Sequence, residues 1–161
     1  MDYLWSPWRY RYVSQAAPGN GCIFCEKPQQ ADHDALIVCR SAHCYVILNR
    51  FPYTSGHVMV VPYVHIATLE EASSDVLREL MELTALTTRH LRSVYQPKGI
   101  NLGMNLGECA GAGVAGHLHM HVVPRWPGDV NFMTVVGETR VLPEDLSTTY
   151  DRLRKAFSSD A

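Results

Sequence analysis

Three histidines alternate with apolar residues late in the chain, at positions 117, 119 and 121. Side chains of a β-strand point to opposite faces with a period of two. A strand over residues 117–123 would therefore place His117, His119 and His121 on one face, while the intervening apolar residues fill the other. Each imidazole carries two ring nitrogens that need partners, so such a row is unusual in a merely packed surface. The row predicts a site for nucleophilic or acid–base chemistry.

The segment before the histidines is rich in glycine and alanine, with glycines at 107, 111, 113 and 116. Glycine permits positive φ and close approach of the backbone to a ligand. Successive amide N–H groups in such a turn can bind an anion, although many loops of this composition only connect two strands. Directly in front of nucleophilic imidazoles, the loop predicts attack on phosphorus, with backbone amides stabilising the developing charge.

A CxxC motif lies near the start of the chain, at Cys22 and Cys25. Such a motif beside a βαβ pattern would indicate thioredoxin-like redox chemistry, but no such pattern follows. We therefore predict a zinc knuckle whose other two ligands lie elsewhere, with histidine as the natural completion. The alternative is an unmetallated thiol pair. The odd total of five cysteines fits reduced thiols or a metal site in the cytoplasm better than a disulfide framework.

Composition indicates one domain over residues 1–161, and its 47% of hydrophobic residues supports a proper core. The net charge of −2 argues against an extended nucleic-acid surface. We find no transmembrane run and no signal-peptide pattern, which predicts a cytoplasmic protein without a membrane partner.

Residues 1–20 form an aromatic and basic arm. Its side chains could stack on a base or line a dimer groove, but we favour the interpretation that they seal the arm onto the domain.

Apolar periodicity predicts five short strands and two helices, without repeated βαβ alternation, and hence the α+β class. A hairpin is expected from Ala35–Cys39 and Cys44–Leu48, followed by strands at His57–Val61, Ile100–Asn105 and 117–123. A long helix is expected from Ser73 to about Tyr95, capped by Ser73 or Ser74. We predict a loop over Pro124–Asn131 and a terminal helix over Pro143–Phe157, in a C-terminal segment 143–161.

The alternation from His117 to Val123 resembles the signature of the histidine triad (HIT) superfamily. Further matching motifs are Leu48–Tyr53, Gly56–Pro62, Gly103–Asn105 and Pro124–Trp126. The opening Leu4-Trp5-Ser6-Pro7-Trp8-Arg9 resembles the diadenosine tetraphosphate phosphorylase/hydrolase-like branch. The resemblance implies a HIT-like fold, namely a twisted, mainly antiparallel five-stranded sheet with helices packed outside it. It also implies a homodimer that joins through the long helix and an adjacent strand.

The resemblance also implies the ligands of the metal. In HIT relatives that carry a CxxC, two histidines complete the site, and they correspond here to His65 and His117. We therefore predict one structural zinc per chain, bound by Cys22, Cys25, His65 and His117.

By the same resemblance, His119 is the nucleophile that attacks the α-phosphorus and forms a covalent nucleotidyl-imidazole intermediate. His121 binds or protonates phosphoryl and leaving-group oxygens, and His117 fixes the nucleophile from behind. Phosphate oxygens are assigned to Asn105 and to the loop amides of Gly111, Gly113 and Val114.

Three further residues are implied in nucleotide binding, each with a structural alternative. Asn49 is expected near the ribose, although turn capping is its commoner role. His57 is expected near the phosphates, or else as a buried histidine with internal partners. Trp126 borders the pocket of the neighbouring subunit, or packs at a strand end. Related phosphorylases tend to have a polar residue where this chain has Val114, which favours water over phosphate as the acceptor.

The sequence thus predicts an enzyme that hydrolyses or transfers nucleotides from adenosine polyphosphates such as diadenosine tetraphosphate. Two other classes stay open at this point. One is a noncatalytic, zinc-stapled nucleotide-binding module, and the other is a metalloenzyme in which all three triad histidines bind a hydrolytic metal. Phosphoramidates and other nucleotide conjugates present the same phosphorus and are alternative substrates.

Overall fold

A computed structural model describes residues 21–129 and 144–159 of the chain. The predictions for the N-terminal arm and for residues 130–143 lie outside the described residues. The helices are α1 (Ile23–Glu26), α2 (Asp32–Ala35), α3 (Ser74–Tyr95) and α4 (Leu146–Ser158), and 3₁₀ turns lie at Lys27–Gln29 and Glu108–Ala110. The strands are β1 (Ile37–Arg40), β2 (Cys44–Leu48), β3 (Val58–Pro62), β4 (Gly99–Gly103) and β5 (Met120–Arg125). No helix within these described ranges is long and apolar enough to cross a membrane.

The five strands form one sheet in the order β1-β2-β3-β5-β4, and every neighbouring pair is antiparallel. Strand β5 follows β4 in sequence but lies between β3 and β4 in the sheet, so the histidine segment enters among the described strands rather than at their edge. The predicted hairpin is present as β1 and β2. The α+β class with a five-stranded antiparallel sheet, one long helix and one terminal helix is confirmed.

The two faces of the sheet have different coverings. Alternate residues such as Val58, Val60 and Val122 form a core with leucines of α3 and with α4. The opposite residues, including Tyr45 and Met59, pack with Phe24 of α1 in a second cluster. Because β3 and β5 pair Met59 with His121, the histidine face of β5 is the α1 side of the sheet. The long and terminal helices therefore build the core, and the short ones border the histidines.

Helix α3 forms where periodicity predicts it, and its ends have identifiable caps. The Ser73 side chain accepts a hydrogen bond from the Val76 amide at 3.3 Å, which confirms the predicted N-cap. Leu80, Leu83 and Leu91 are almost completely buried against the sheet, and each buried leucine contributes about 1.5 to 3 kcal/mol. Helix α4 begins at Leu146, three residues later than predicted, with Asp145 as its N-cap.

Strand β5 begins at Met120, so the prediction of a strand from residue 117 was wrong by three residues. In register, Leu118 would oppose Pro62, which has no N–H to continue the ladder. The Leu118 amide instead donates to the Ile66 carbonyl at 2.6 Å. Leu118 nevertheless packs in the helix-side core, and the histidines keep the opposite side. The predicted alternation therefore holds although the ladder is interrupted.

The predicted loop from Pro124 was also wrong, because β5 continues to Arg125. Strand β3 starts opposite Val122, so no residue of β3 lies opposite Pro124, and its missing N–H breaks no bond to β3. In the turn before β3, Gly56 has φ = 76° and a Cβ there would lie 3.1 Å from the Tyr95 ring. This turn therefore requires glycine.

Candidate active site

His119 is held by the backbone of its own segment. Its Nδ1–H donates to the His117 carbonyl at 2.7 Å, and its side chain is buried. With the proton on Nδ1, the neutral ring keeps a lone pair on Nε2. Burial lowers the pKa of His119 below its ordinary value, which favours the neutral form. The ring borders an open cleft and can act there as a nucleophile.

His121 is oriented by a chain of hydrogen bonds that fixes its tautomer. The Tyr53 amide donates to His57 Nδ1 at 3.1 Å, so His57 in its neutral form carries its proton on Nε2. That Nε2–H donates to His121 Nδ1 at 3.0 Å. His121 therefore carries its own proton on Nε2. Burial, and to a lesser extent His119, lower the pKa of His121 to about 4, so a neutral ring presents an N–H donor.

His57 is therefore a buried partner of His121 rather than a residue of the cleft wall. Asn49 lies beside it, with Nδ2 3.4 Å from His57 Nε2. Both nitrogens carry protons in this arrangement, so that contact is not a hydrogen bond. Asn49 Oδ1 accepts from the Phe51 amide at 2.9 Å, which is the turn-capping role. Asn49 also lines the cleft, so its side-chain amide is available there to a ligand.

The cleft has a volume of about 980 Å³, which is ample for a nucleotide. Predicted site residues that line it are His119, His121, Asn49, Asn105, Gly111, Gly113 and Val114. His117 lies behind His119, and Trp126 packs edge-on near Tyr95, so neither borders the cleft of its own chain. The structure thus brings together the predicted phosphate-side residues and leaves Trp126 apart.

The glycine loop offers fewer free amides than its sequence suggests. Gly111 N–H donates to the Glu108 carbonyl at 2.8 Å, and Ala112 N–H donates to the Gly107 carbonyl at 3.4 Å. The Asn105 side chain supports the loop by donating to the Gly111 carbonyl at 3.4 Å. Gly111 therefore lines the cleft with φ = 88° but donates its amide internally, whereas Gly113 and Val114 follow it at the wall.

Sequence reasoning missed one apolar wall of the cleft and its cations. This wall includes Ile23, Phe24, Leu36, Ile47 and Phe51, with Lys27 and Arg50 beside it. Two of these residues, Ile23 and Phe24, stand between the cysteines of the CxxC. The sequence contains a signal for this wall. Apolar residues between two metal ligands must lie close to the metal site, and His117 of that site is adjacent in sequence to the reactive histidines.

The four predicted metal ligands come together at the other side of His117. The ligand atoms of Cys22, Cys25, His65 and His117 all lie within 4.8 Å of one another. Cys22 Sγ lies 3.3 Å and Cys25 Sγ 3.5 Å from His117 Nδ1, and Cys25 Sγ lies 3.3 Å from His65 Nδ1. Edges of a tetrahedral zinc site with sulfur and nitrogen ligands measure about 3.3 to 3.8 Å.

The orientation of His117 also fits a metal. Its Nε2–H donates to the Pro62 carbonyl at 2.9 Å, which leaves the Nδ1 lone pair facing the two sulfurs. Among the described residues, His117 is the only member of the triad in this cluster. His119 and His121 use their Nδ1 atoms in other hydrogen bonds, so the arrangement disfavours one metal shared by all three.

A family model for the HIT domain matches residues 30–128. The chain belongs to the HIT domain family. Over 157 residues it is 42% identical to a Mycobacterium tuberculosis protein called AP-4-A phosphorylase, covering 92% of this chain and 80% of that protein.

Two solved structures show the same architecture. One is a Zn-bound histidine triad family protein from Mycobacterium smegmatis, with a TM-score of 0.70 and 25% identity, covering 87% of this chain and 95% of that one. The other is a hypothetical histidine triad nucleotide-binding protein from Sulfolobus tokodaii, with a TM-score of 0.68 and 26% identity, covering 86% and 93%.

Proposed function

We propose that this chain is an enzyme that cleaves adenosine polyphosphates such as diadenosine tetraphosphate at the α-phosphorus, through a covalent nucleotidyl-histidine intermediate. The observation that carries the proposal is the pairing of two neutral imidazoles at one cleft. His119 offers a lone pair on Nε2, and His121, with ring centroids 5.0 Å away, offers an N–H on Nε2. The name of the M. tuberculosis relative supports the substrate class.

In the first step, His119 Nε2 forms a bond to the α-phosphorus, and the bond from that phosphorus to the leaving-group oxygen breaks. The imidazole ring becomes positively charged as the new bond forms. Its Nδ1–H remains hydrogen-bonded to the His117 carbonyl, so the carbonyl dipole stabilises that charge. Because this bond exists before substrate arrives, His119 is held in the reactive tautomer.

His121 acts as the proton donor to the leaving group. Its Nε2–H is directed by the hydrogen bond from His57 to its Nδ1, and it donates to the departing oxygen as negative charge develops there. In the second step an acceptor attacks the phosphorus, the phosphorus–nitrogen bond breaks, and His119 recovers its lone pair. When the acceptor is water, His121, which gave its Nε2 proton to the departing oxygen, takes up the proton that the water releases. The nucleotide is then released.

Different walls of the cleft bind the phosphates, the ribose and the base of the substrate. Nonbridging oxygens are held by Asn105 and by the amides of Gly113 and Val114, while the Asn49 Nδ2 donor serves the ribose. The base lies against the apolar wall. We assign zinc to the Cys22, Cys25, His65 and His117 cluster, one ion per chain. When bound, it is a structural cross-link that holds the backbone of His117 behind the nucleophile.

The acceptor is water or inorganic phosphate. The M. tuberculosis relative is named a phosphorylase, whereas Val114 at the wall of this cleft contributes no side-chain donor for a second phosphate. Backbone amides can bind phosphate without such a side chain. The products distinguish the two reactions, since water yields AMP with ATP and phosphate yields ADP with ATP.

We also propose a homodimer, as the family resemblance implies. Strand β4 is at the edge of the sheet, with Leu102 49% exposed on it, and Met81 of α3 is 53% exposed. An edge strand that exposes a leucine and a helix that exposes a methionine are surfaces of the kind that a second subunit covers.

The test of the function is product analysis with diadenosine tetraphosphate, with and without inorganic phosphate. Wild-type protein and His43→Ala, an exposed histidine in the β1–β2 turn, should turn over alike, while His119→Ala should lose activity by several orders of magnitude. Substrate labelled at the α-phosphorus should leave an acid-labile label on the wild-type and His43→Ala chains and none on His119→Ala. Turnover that survives His119→Ala, or the absence of turnover and label in the wild-type chain, would refute the proposal.

A further inference from the structure

The metal cluster and the nucleotide cleft share one segment of chain. Cys22 and Cys25 contribute their sulfurs to the cluster, and the two residues between them, Ile23 and Phe24, line the cleft. The sulfurs and the two side chains thus belong to one short segment, namely the N-cap Cys22 and the four-residue helix α1 that follows it. A turn of this length has little stability by itself, so its position depends on tertiary contacts.

Phe24 connects this turn to the reactive histidines. Its side chain is 5% exposed, and its ring centroid lies 4.9 Å from that of His119 and 5.5 Å from that of His117. The Phe24 carbonyl accepts a hydrogen bond from the buried Tyr45 hydroxyl at 2.7 Å. A small displacement of the turn therefore moves an apolar surface that touches both the nucleophile and a metal ligand.

The metal joins this turn to distant parts of the chain. His65 and His117 follow Cys25 by 40 and 92 residues, and His65 is exposed. With a metal bound, the two cysteines of the turn are joined to His65 and His117. Without it, this cross-link is lost, and the turn is held by its packing and by the hydrogen bond from the Tyr45 hydroxyl.

We propose that the Cys22–Cys25 turn is both part of the metal site and a wall of the nucleotide cleft, with Phe24 as the positioning residue that makes metal binding and nucleotide binding strengthen each other. This inference rests on the proposed function. A coupling between two sites is reciprocal, so the factor by which metal raises nucleotide affinity equals the factor by which nucleotide raises metal affinity. We expect a factor of about five or more.

The first experiment measures zinc affinity of the full chain by competition with a chromophoric chelator, with and without saturating AMP. The second measures AMP affinity by calorimetry on zinc-loaded and zinc-stripped chain, with circular dichroism to verify the fold. The matched variants are Phe24→Leu and Phe51→Leu. Both shorten an aromatic side chain of the cleft, but Phe51 follows β2 and is 61% exposed. Coupling should fall to less than twofold in Phe24→Leu and remain in Phe51→Leu, whatever their separate AMP affinities.

Cobalt-loaded wild-type chain gives a readout in a metal-bound protein without any substitution. AMP should shift the cobalt absorption bands, because it contacts the turn that carries two ligands. Equal zinc affinities with and without AMP, unchanged cobalt bands at saturating AMP, or full coupling in Phe24→Leu would each overturn the inference. AMP binding without any coupling would leave the proposed function standing, whereas no AMP binding to the zinc-loaded chain would refute both.

Discussion

The hydrogen bond from His57 to His121 predicts that a buried histidine outside the cleft controls the proton donor inside it. Two substitutions separate this role from simple packing. His57→Gln retains a side-chain N–H that can donate to His121 Nδ1, whereas His57→Met has a similar shape and no donor. Both remove a ring that is 1% exposed, so their packing costs should be comparable.

The magnitude follows from the lost donor. Without the His57 N–H, the His121 ring is free to place its proton on Nδ1, which turns Nε2 from a donor into an acceptor. Loss of a buried hydrogen-bond partner costs about 1 to 3 kcal/mol. Because this cost is expected in the transition state, kcat for diadenosine tetraphosphate should fall about fivefold to 150-fold in His57→Met. His57→Gln should recover most of that loss.

The assay compares two leaving groups in steady-state kinetics. The terminal phosphate of a departing nucleotide, a base with a pKa of about 6, benefits from a donor as it departs, but 2,4-dinitrophenolate, released from adenosine 5′-(2,4-dinitrophenyl phosphate), is a much weaker base and needs little help. His57→Met should therefore reduce kcat strongly for the first substrate and weakly for the second. Equal losses for both substrates, or full activity of His57→Met with diadenosine tetraphosphate, would refute the assignment of His121 as a donor oriented by His57.

Three other predictions follow from the described residues. Burial lowers the pKa of His121 from 6.5 to about 4. As the pH falls below 6.5, His121 is therefore protonated in the unfolded chain while it stays neutral in the folded chain. The free energy of unfolding should thus decrease toward pH 4 by up to about 3 kcal/mol, measured by urea denaturation, and His121→Gln should reduce that slope. Gly56→Ala should cost about 1 to 3 kcal/mol of stability because of its positive φ and the Tyr95 ring, while Gly103→Ala, with nothing within 4 Å of the added Cβ, should be much milder. Leu102→Lys at the β4 edge should convert a dimer to a monomer in sedimentation equilibrium. The control Leu69→Lys, at a residue that is 39% exposed and precedes α3, should leave the protein dimeric. A monomeric wild-type chain would refute the dimer.

Local patterns in the sequence account for the elements and for the order of the histidines. The period of two puts the three histidines on one side because it depends only on extended backbone, and it survives the interruption at Leu118. Helix α3 is predictable because its cap and its apolar spacing are local. The start of β5 was not predictable from local sequence. It depends on which residue of β3 lies opposite, and that residue is Pro62.

Only the tertiary structure decides which partner each histidine ring nitrogen bonds to. Cys22 and His117 are 95 residues apart, and His57 and His121 are 64 apart. No periodicity relates such positions, so the proposal of His65 and His117 as ligands came from resemblance rather than from spacing. The sequence determined the types of groups available, namely imidazoles, thiols and a glycine loop. The sheet determined that His117 faces the thiols, that His119 faces the cleft and that His57 stands behind His121, because a tautomer is fixed by its hydrogen-bond partners.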